Sequence, residues 1–169
     1  MTKPLVAGNW KMHGNTETAS NLAAQLAEQW SDHPAVEMVI IPPFVHLGAV
    51  KAALAKSTIA VGAQNISQHE GGAYTGETSG EMLVDLGCDY VLVGHSERRE
   101  LFGECNSTVA EKFKAAQKAG LTPILCVGES LQQRQQQQTL DVVNGQITAV
   151  IDCVGLHNVC RAVIAYEPV

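Results

Sequence analysis

Residues 90–99 read YVLVGHSERR: four apolar residues run through Gly and His into a polar group that can begin a helix. A short apolar run bounded in this way predicts a buried strand followed by a helix. Similar runs occur at residues 5–7, 38–41, 59–63, 90–93, 124–127 and 162–165. Because these runs are almost wholly apolar instead of alternating, they indicate strands that are covered on both faces.

Helical patterns separate the apolar runs. Asn15 is a cap-like residue before one amphipathic stretch, residues 81–86 and 108–119 fit shorter helices, and residues 131–151 predict one long helix. The Gln-rich run at residues 132–138 is interpreted as the solvated face of that helix. Strands alternating with helices predict parallel pairing in an α/β fold, either an open doubly wound sheet or a β/α barrel.

No linker divides residues 1–169, so the chain is predicted to form a single domain. The first strand lacks a GxGxxG turn, which disfavours a dinucleotide-binding fold. With 46% hydrophobic and 17% charged residues the chain is expected to be globular, and its net charge of −6 argues against nucleic-acid binding.

The cysteine and histidine spacing predicts neither a metal site nor a thioredoxin-like site. The five cysteines form no CxxC pair, and no two of the six histidines have metal-ligand spacing. The cysteines are interpreted as reduced thiols, and neither a signal peptide nor a membrane-spanning run is evident. We therefore expect a cytoplasmic protein with no membrane partner.

Polar residues that could take part in catalysis follow three of the apolar runs. Asn9 and Lys11 follow the first, His95 follows the fourth, and Glu167 follows the sixth. Taken singly, Lys11 fits a surface lysine and His95 fits a histidine at the edge of the core. Because the carboxyl ends of parallel strands in β/α folds gather on one face, an amide, a cation, an imidazole and a carboxylate are expected to converge there.

Six motifs make the sequence resemble the triosephosphate isomerase family from residue 6 to residue 169. They are AGNWKMHG at 7–14, GAQN at 62–65, GAYTGETS at 72–79, VLVGHSERR at 91–99, CVGE at 126–129 and AYEPV at 165–169. The resemblance implies an incomplete (β/α)8 TIM barrel, with about six β/α units present and the last two missing.

The resemblance also implies an isomerase that interconverts dihydroxyacetone phosphate and glyceraldehyde 3-phosphate, without a cofactor. Glu167 would be the general base and His95 the electrophile, while Lys11 would be both catalytic and substrate-binding. Asn9 would bind substrate. Since His95 lies just before a predicted helix start, the helix dipole is expected to favour its neutral form.

Supporting roles are implied for Ser96, Glu97 and Thr75. Glu97 is expected near the site, either paired with Lys11 or purely structural. In the family, the loop matching residues 64–80 reaches into a neighbouring subunit, so Thr75 would approach the partner and a homodimer is implied.

A complete barrel of this kind needs about 250 residues. By resemblance, Pro168 and Val169 would begin a mobile lid, and the Gly-rich phosphate-binding turns of strands seven and eight would follow. Two hypotheses remain open: an isomerase whose remaining residues are missing, or a non-catalytic β/α fragment that acts as a scaffold or assembly module. The 169 residues alone are expected to be inactive or very weak, and their unpaired sheet edges are expected to self-associate.

Overall fold

The computed structural model describes residues 3–30 and 35–167, so the predicted lid start at Pro168 lies outside the described residues. The sheet has six strands: β1 Leu5–Asn9, β2 Glu37–Ile41, β3 Ala60–Ala63, β4 Tyr90–Val93, β5 Thr122–Val127 and β6 Val163–Tyr166. Each of the six apolar runs in the sequence lies within a strand or overlaps one.

Helices follow the strands along the chain. They are α1 Thr16–Gln29, α2 Leu47–Ala53, α3 Gly80–Asp85, α4 Ser96–Phe102, α5 Asn106–Ala119, α6 Leu131–Gln135, α7 Thr139–Val154 and α8 Leu156–Val159, with a 3-10 turn at Phe44–His46 before α2. Asn15 caps α1: its side chain accepts from the Thr18 N–H while the Thr18 hydroxyl accepts from the Asn15 N–H. No helix in the described part of the chain is both long and apolar enough to cross a membrane.

All strand pairs are parallel, and the strands lie in the order of the sequence from β1 to β6. Each crossover between neighbouring strands therefore contains helix, as a β/α repeat requires. The sheet curls into a half-barrel, which confirms the predicted incomplete TIM barrel and excludes the doubly wound alternative.

Two apolar layers cover the central strands. Between sheet and helices, Phe113 of α5 is fully buried with Val61, Val91 and Leu125 of the sheet. On the concave face, the buried side chains are Val39, Ile41, Leu92 and Ile124. Alternate residues of one strand thus enter different layers, which explains why the runs are apolar throughout.

The prediction of two covered faces is wrong for the outer strands. Val6 of β1 and both Ile164 and Tyr166 of β6 are about half exposed. Within the described residues, β1 pairs only with β2, and β6 only with β5. The unpaired edges expected from the sequence are therefore present.

The prediction of one helix over residues 131–151 is also wrong, because a turn separates α6 from α7. Gln137 has a φ of 59°, a left-handed conformation in which a right-handed helix cannot continue. Ser130 and Gln133 form a capping box that begins α6 separately. The Gln-rich run therefore spans a short helix and a turn.

Candidate active site

The carboxyl ends of β1, β4 and β6 bring together most of the residues singled out in the sequence. Lys11 and His95 each lie two residues beyond their strand, and Glu167 lies one residue beyond β6. Because all the strands are parallel, these residues emerge on the same edge of the sheet. The expected convergence is therefore found in the fold.

His95 is fixed by its position at the N-terminus of α4. Its Nδ1 accepts a hydrogen bond from the Glu97 backbone N–H at 3.3 Å, and its side chain is only 12% exposed. An Nδ1 that accepts has no hydrogen, so the neutral ring carries its hydrogen on Nε2. That Nε2 lies 4.0 Å from Oε2 of Glu167.

Glu167 is held mainly through its backbone and one hydroxyl. Its N–H donates to the Val127 carbonyl at 3.2 Å, at the end of β5. Its carboxylate accepts from the Ser96 hydroxyl at 3.0 Å, and its side chain is 61% exposed. Ser96, the first residue of α4, thereby links the carboxylate to the helix that carries His95.

Lys11 and Glu97 form an ion pair at the same edge. The Lys11 Nζ lies 2.7 Å from Glu97 Oε1, while Glu97 Oε2 lies 3.7 Å from Nδ1 of His95. Hydrogen bonding to Glu97 raises the pKa of Lys11, and hydrogen bonding to Lys11 lowers the pKa of Glu97. The predicted pairing is therefore present, and both groups are held in their charged forms.

The backbone of Lys11 is left-handed, with a φ of 51°. Two side chains hold this uncommon conformation. Asn9 Oδ1 accepts from the Lys11 N–H at 3.0 Å, and Gln64 Nε2 donates to the Lys11 carbonyl at 2.8 Å and to the Ile41 carbonyl at 3.1 Å. Asn9 therefore also shapes the turn, and Gln64 is a site-supporting residue that the sequence predictions missed. Its place in the GAQN motif was the only signal.

A buried charge cluster fixes α4 from behind. The Glu104 carboxylate accepts from Arg98 at 2.5 Å and from Lys112 at 2.6 Å, and Lys112 also donates to Asn65 at 2.8 Å. Burial alone would raise the pKa of Glu104, but the hydrogen bonds from Lys112 and Arg98 outweigh it and hold that pKa below its ordinary value. Nothing in the sequence spacing identified this cluster.

Glu129, the acid of the CVGE motif, links Tyr166, the residue before Glu167, to helices α6 and α7. Its fully buried carboxylate accepts from the Tyr166 hydroxyl at 3.1 Å and from the Thr139 hydroxyl at 3.1 Å, with Arg134 at 3.3 Å. Burial acts to raise the pKa of Glu129, and these donors with its own backbone N–H lower it overall. The CVGE motif is evident in the sequence, but no role was predicted for Glu129.

A cavity of about 980 Å³ adjoins these residues between α4 and α7. Ser96, Arg99, Glu129, Gln146 and Glu167 are among the residues that line it. It is larger than a three-carbon phosphate requires, and its lining is both polar and apolar.

Thr75 is the one predicted site residue that the described chain leaves apart from the others. It lies exposed in the turn where the Glu77 N–H donates to the Tyr74 carbonyl at 3.0 Å. In the described residues, no hydrogen bond or ion pair links Thr75 to the site. The same residues contain no group of three His, Cys, Asp or Glu side chains placed to hold a metal ion.

The chain is similar to known proteins over nearly its whole length. The model of the family described as triosephosphate isomerase matches residues 4–169. The triosephosphate isomerase of Thiobacillus denitrificans is 53% identical over 169 residues, which cover all of this chain and 67% of that protein. Those of Dechloromonas aromatica and Alcanivorax borkumensis are 48% and 49% identical, over 100% and 98% of this chain and 68% and 66% of theirs. The chain thus spans about two thirds of these relatives' length, and it belongs to the triosephosphate isomerase family.

Proposed function

We propose that this chain carries the proton-transfer groups of an isomerase that interconverts dihydroxyacetone phosphate and glyceraldehyde 3-phosphate, in glycolysis and gluconeogenesis. The observation that carries the proposal is the 4.0 Å approach of His95 Nε2 to Glu167 Oε2, beside the Lys11–Glu97 ion pair. A base, a hydrogen-bond donor and a cation thus lie close together at the edge of the sheet.

Glu167 is the proposed base. Its carboxylate removes a proton from the hydroxymethyl carbon of the ketose, and the electron pair of that C–H bond forms a carbon–carbon double bond while the carbonyl oxygen becomes negative. The hydroxyl proton on the first carbon's oxygen then passes to the negative oxygen. The first oxygen forms the aldehyde carbonyl while the electron pair of the double bond takes a proton from the same carboxyl group at the neighbouring carbon, which yields the aldose. The two steps are redox-neutral overall and need no cofactor.

His95 and Lys11 are proposed to stabilise the enediolate. The Nε2–H of neutral His95 donates to the oxygen on which negative charge develops, because Nδ1 is already engaged by the Glu97 N–H. The Lys11 ammonium attracts both that charge and the substrate phosphate. Asn9 binds substrate through its amide Nδ2, which is bonded to none of the described residues.

Ser96 and Glu97 are proposed supporting residues. Ser96 orients the carboxylate of Glu167 through its 3.0 Å hydrogen bond, and Glu97 orients both Lys11 and His95. Each of the two contacts a proposed catalytic group, and neither is proposed to transfer the substrate proton.

We further propose that the 169 residues alone are inactive or very weak. The side chains of Glu167 and Lys11 are 61% and 46% exposed, so water competes for their hydrogen bonds and screens their charges. The alternative role, a folded scaffold or assembly module without catalysis, is favoured by the exposed apolar side chains Ile164 and Tyr166 on edge strand β6.

Turnover of glyceraldehyde 3-phosphate tests both the proposed isomerase function and the proposed inactivity of the 169 residues alone. The 169-residue chain is assayed alone and mixed with a polypeptide that supplies the remaining third of the Thiobacillus denitrificans relative. We expect turnover only in the mixture, reduced about 10³-fold by Glu167→Gln. If the two polypeptides associate in sedimentation and the mixture stays inactive, the proposed isomerase function is wrong and the scaffold role is favoured.

A homodimer formed through the loop of residues 64–80 is proposed as the assembly state. The loop is pre-organised within one chain, because the Ser67 N–H donates to the Thr78 carbonyl at 2.8 Å and the His69 and Tyr74 rings stack at 3.9 Å. Exposed apolar side chains also lie in the segments that follow β1, β2 and β4, namely Met12, Val45 and Phe102. Association through the open edges of β1 and β6 is the alternative.

Sedimentation velocity at micromolar concentration separates the two routes. We expect the chain to be dimeric, Thr75→Arg to be monomeric, and Ile164→Lys on the β6 edge to remain dimeric. A dimer broken only by Ile164→Lys would show edge pairing instead, and a strictly monomeric parent chain would contradict both.

We also propose that residues 1–169 form one domain and that the protein is cytoplasmic. One continuous sheet from β1 to β6 supports a single domain. Five cysteines without a disulfide support a reducing compartment. Limited proteolysis and fractionation of cells of the source organism test these two proposals.

A further inference from the structure

Gln146, in the middle of α7, has a buried side-chain amide that bonds to a single residue of the β5–α6 loop. Its Oε1 accepts from the Gly128 N–H at 2.9 Å, and its Nε2 donates to the Gly128 carbonyl at 2.9 Å. Both backbone groups of Gly128 are therefore satisfied by one side chain, as a neighbouring strand would satisfy them. Of the twenty side chains, only Gln and Asn offer a planar amide of this kind, and Asn is one methylene shorter.

Gly128 in turn lies directly against the backbone of Glu167. A Cβ added to Gly128 would lie 2.8 Å from the Glu167 carbonyl oxygen and 3.9 Å from its nitrogen. The preceding residue, Val127, accepts the hydrogen bond from the Glu167 N–H at 3.2 Å. The position of the 127–128 peptide therefore limits where the backbone of Glu167 can lie.

From this arrangement we infer that Gln146 is a positioning residue for Glu167 and acts through Gly128. The amide anchors the Gly128 backbone to α7, and the Gly128 backbone sets the position of the residue that carries the carboxylate. This anchor matters because β6 is an edge strand, paired only with β5 among the described residues, and Glu167 follows its last residue. The inference rests on the proposed role of Glu167 as the base.

The removal of the amide is expected to displace Glu167 without changing its chemical identity. Gln146→Met keeps the length and volume of the side chain but loses both hydrogen bonds to Gly128. A displacement of the base by about 1 Å is expected to lower kcat about 10²-fold. Substrate binding by Lys11 is unaffected, so KM should stay within about twofold.

Gln117→Met is the matched control. Gln117 is also a helical glutamine whose Nε2 donates to a backbone carbonyl, that of Asn158 in α8 at 2.7 Å, but it lies at the opposite end of the sheet near the start of β5. The control therefore loses a similar side-chain hydrogen bond far from Glu167. Both variants are expected to lose stability, Gln146→Met more because it loses two hydrogen bonds and Gln117→Met one. Only Gln146→Met is expected to alter the base.

The first measurement is the carbon-13 NMR spectrum of the 169-residue chain, labelled in its glutamate carboxyl groups. The Glu167 resonance is the one absent from the Glu167→Gln spectrum. We expect Gln146→Met to shift and broaden this resonance and Gln117→Met to leave it unchanged. Gly128→Ala keeps the amide but introduces the clashing Cβ, so it should also shift the resonance. If folded Gln146→Met leaves the resonance unchanged, or if Gln146→Met does not fold and Gly128→Ala leaves it unchanged, the inference is overturned.

The second measurement is kcat and KM in the mixture with the relative's remaining third. A fall in kcat at constant KM for Gln146→Met, absent in Gln117→Met, supports positioning, and equal kinetics of the two variants overturn it. A parent mixture without turnover contradicts the proposed function, and the carboxyl resonance then still decides whether Gln146 positions Glu167.

Discussion

Strands β4 and β6 are both four residues long and both lead into a proposed catalytic residue, yet their surroundings differ. β4 pairs on both sides and lies under α5, so Val91 and Val93 are buried. β6 pairs on one side, and its alternate residues Ile164 and Tyr166 are about half exposed. Correspondingly, His95 after β4 is 12% exposed and Glu167 after β6 is 61% exposed.

This difference shows that an apolar run specifies a strand without specifying its place in the sheet. YVLV and VIAY are similar in composition, and the neighbours decide which one becomes a rigid support. The imidazole is therefore held by the packed centre of the sheet. Glu167 is instead held by its backbone hydrogen bond to β5 and by the Ser96 hydroxyl of α4.

The largest expected contrast between the strands comes from placing a charge on each. Val91→Asp buries an unpaired carboxylate in the layer between sheet and helices and should cost more than about 4 kcal/mol of unfolding free energy. Ile164→Asp places the same group on the half-exposed face of β6 and should cost less than about 1 kcal/mol. Urea unfolding of the two variants checks this, and similar midpoints would contradict the difference between centre and edge.

The next largest effect concerns the charge cluster behind the helix that follows β4. Glu104→Gln leaves Lys112 and Arg98 without their buried anion and should cost about 3 kcal/mol. The exposed counterpart Glu111→Gln loses the 3.5 Å pair with Lys114 and weakens the 3.5 Å hydrogen bond from the Cys153 thiol, and it should cost less than about 0.5 kcal/mol. Urea unfolding near neutral pH measures both.

The acid dependence sharpens this prediction. Because the folded pKa of Glu104 lies below its unfolded value, its stabilising contribution is present above the unfolded pKa and is lost as the pH falls through the folded pKa. The parent chain should therefore lose more stability on acidification than Glu104→Gln. Parallel acid curves for the two proteins would show that the cluster does not hold a charged Glu104.

The smallest expected effect comes from two tyrosines that each donate to a glutamate. Tyr90 of β4 donates to Glu37 at 2.7 Å, and Tyr166 of β6 donates to Glu129 at 3.1 Å. Replacing either by Phe should cost about 1 kcal/mol, measured by urea unfolding near neutral pH.

Alkaline unfolding distinguishes Tyr90 further. Burial and then the Glu37 hydrogen bond raise the pKa of Tyr90 to about 12, above the value near 10 of an unfolded tyrosine. Between these values the folded state binds more protons, so this contribution to stability falls as the pH rises. Tyr90→Phe should therefore lose less stability than the parent in that range, and an equal or larger loss would contradict the assignment.

Much of the fold could be predicted because each β/α unit is encoded locally. The apolar runs, the Asn15 cap and the parallel topology follow from short-range patterns, and parallel strands necessarily gather Lys11, His95 and Glu167 on one edge. The left-handed Gln137 was missed because a polar helix face and a polar turn have the same composition. The exposure of β6 was missed because it depends on which strands lie beside it.

The supporting residues of the site were harder to predict because their partners are distant in the sequence. Lys112 contacts Asn65 across 47 positions, and Gln64 contacts Lys11 across 53. Such side chains look like ordinary surface residues until the fold brings their partners close. Gln146 belongs to this class, because its partner among the described residues is the backbone of Gly128, which no sequence pattern marks.

The left-handed backbone of Lys11 sets stability and chemistry against each other at one residue. A non-glycine residue in this conformation costs on the order of 1 kcal/mol, and glycine would adopt it without steric strain. A laboratory selection for heat resistance alone would therefore tend to enrich glycine at position 11 and discard the ammonium group. Under the role proposed for Lys11, a lysine at this position favours the reaction over the durability of the fold.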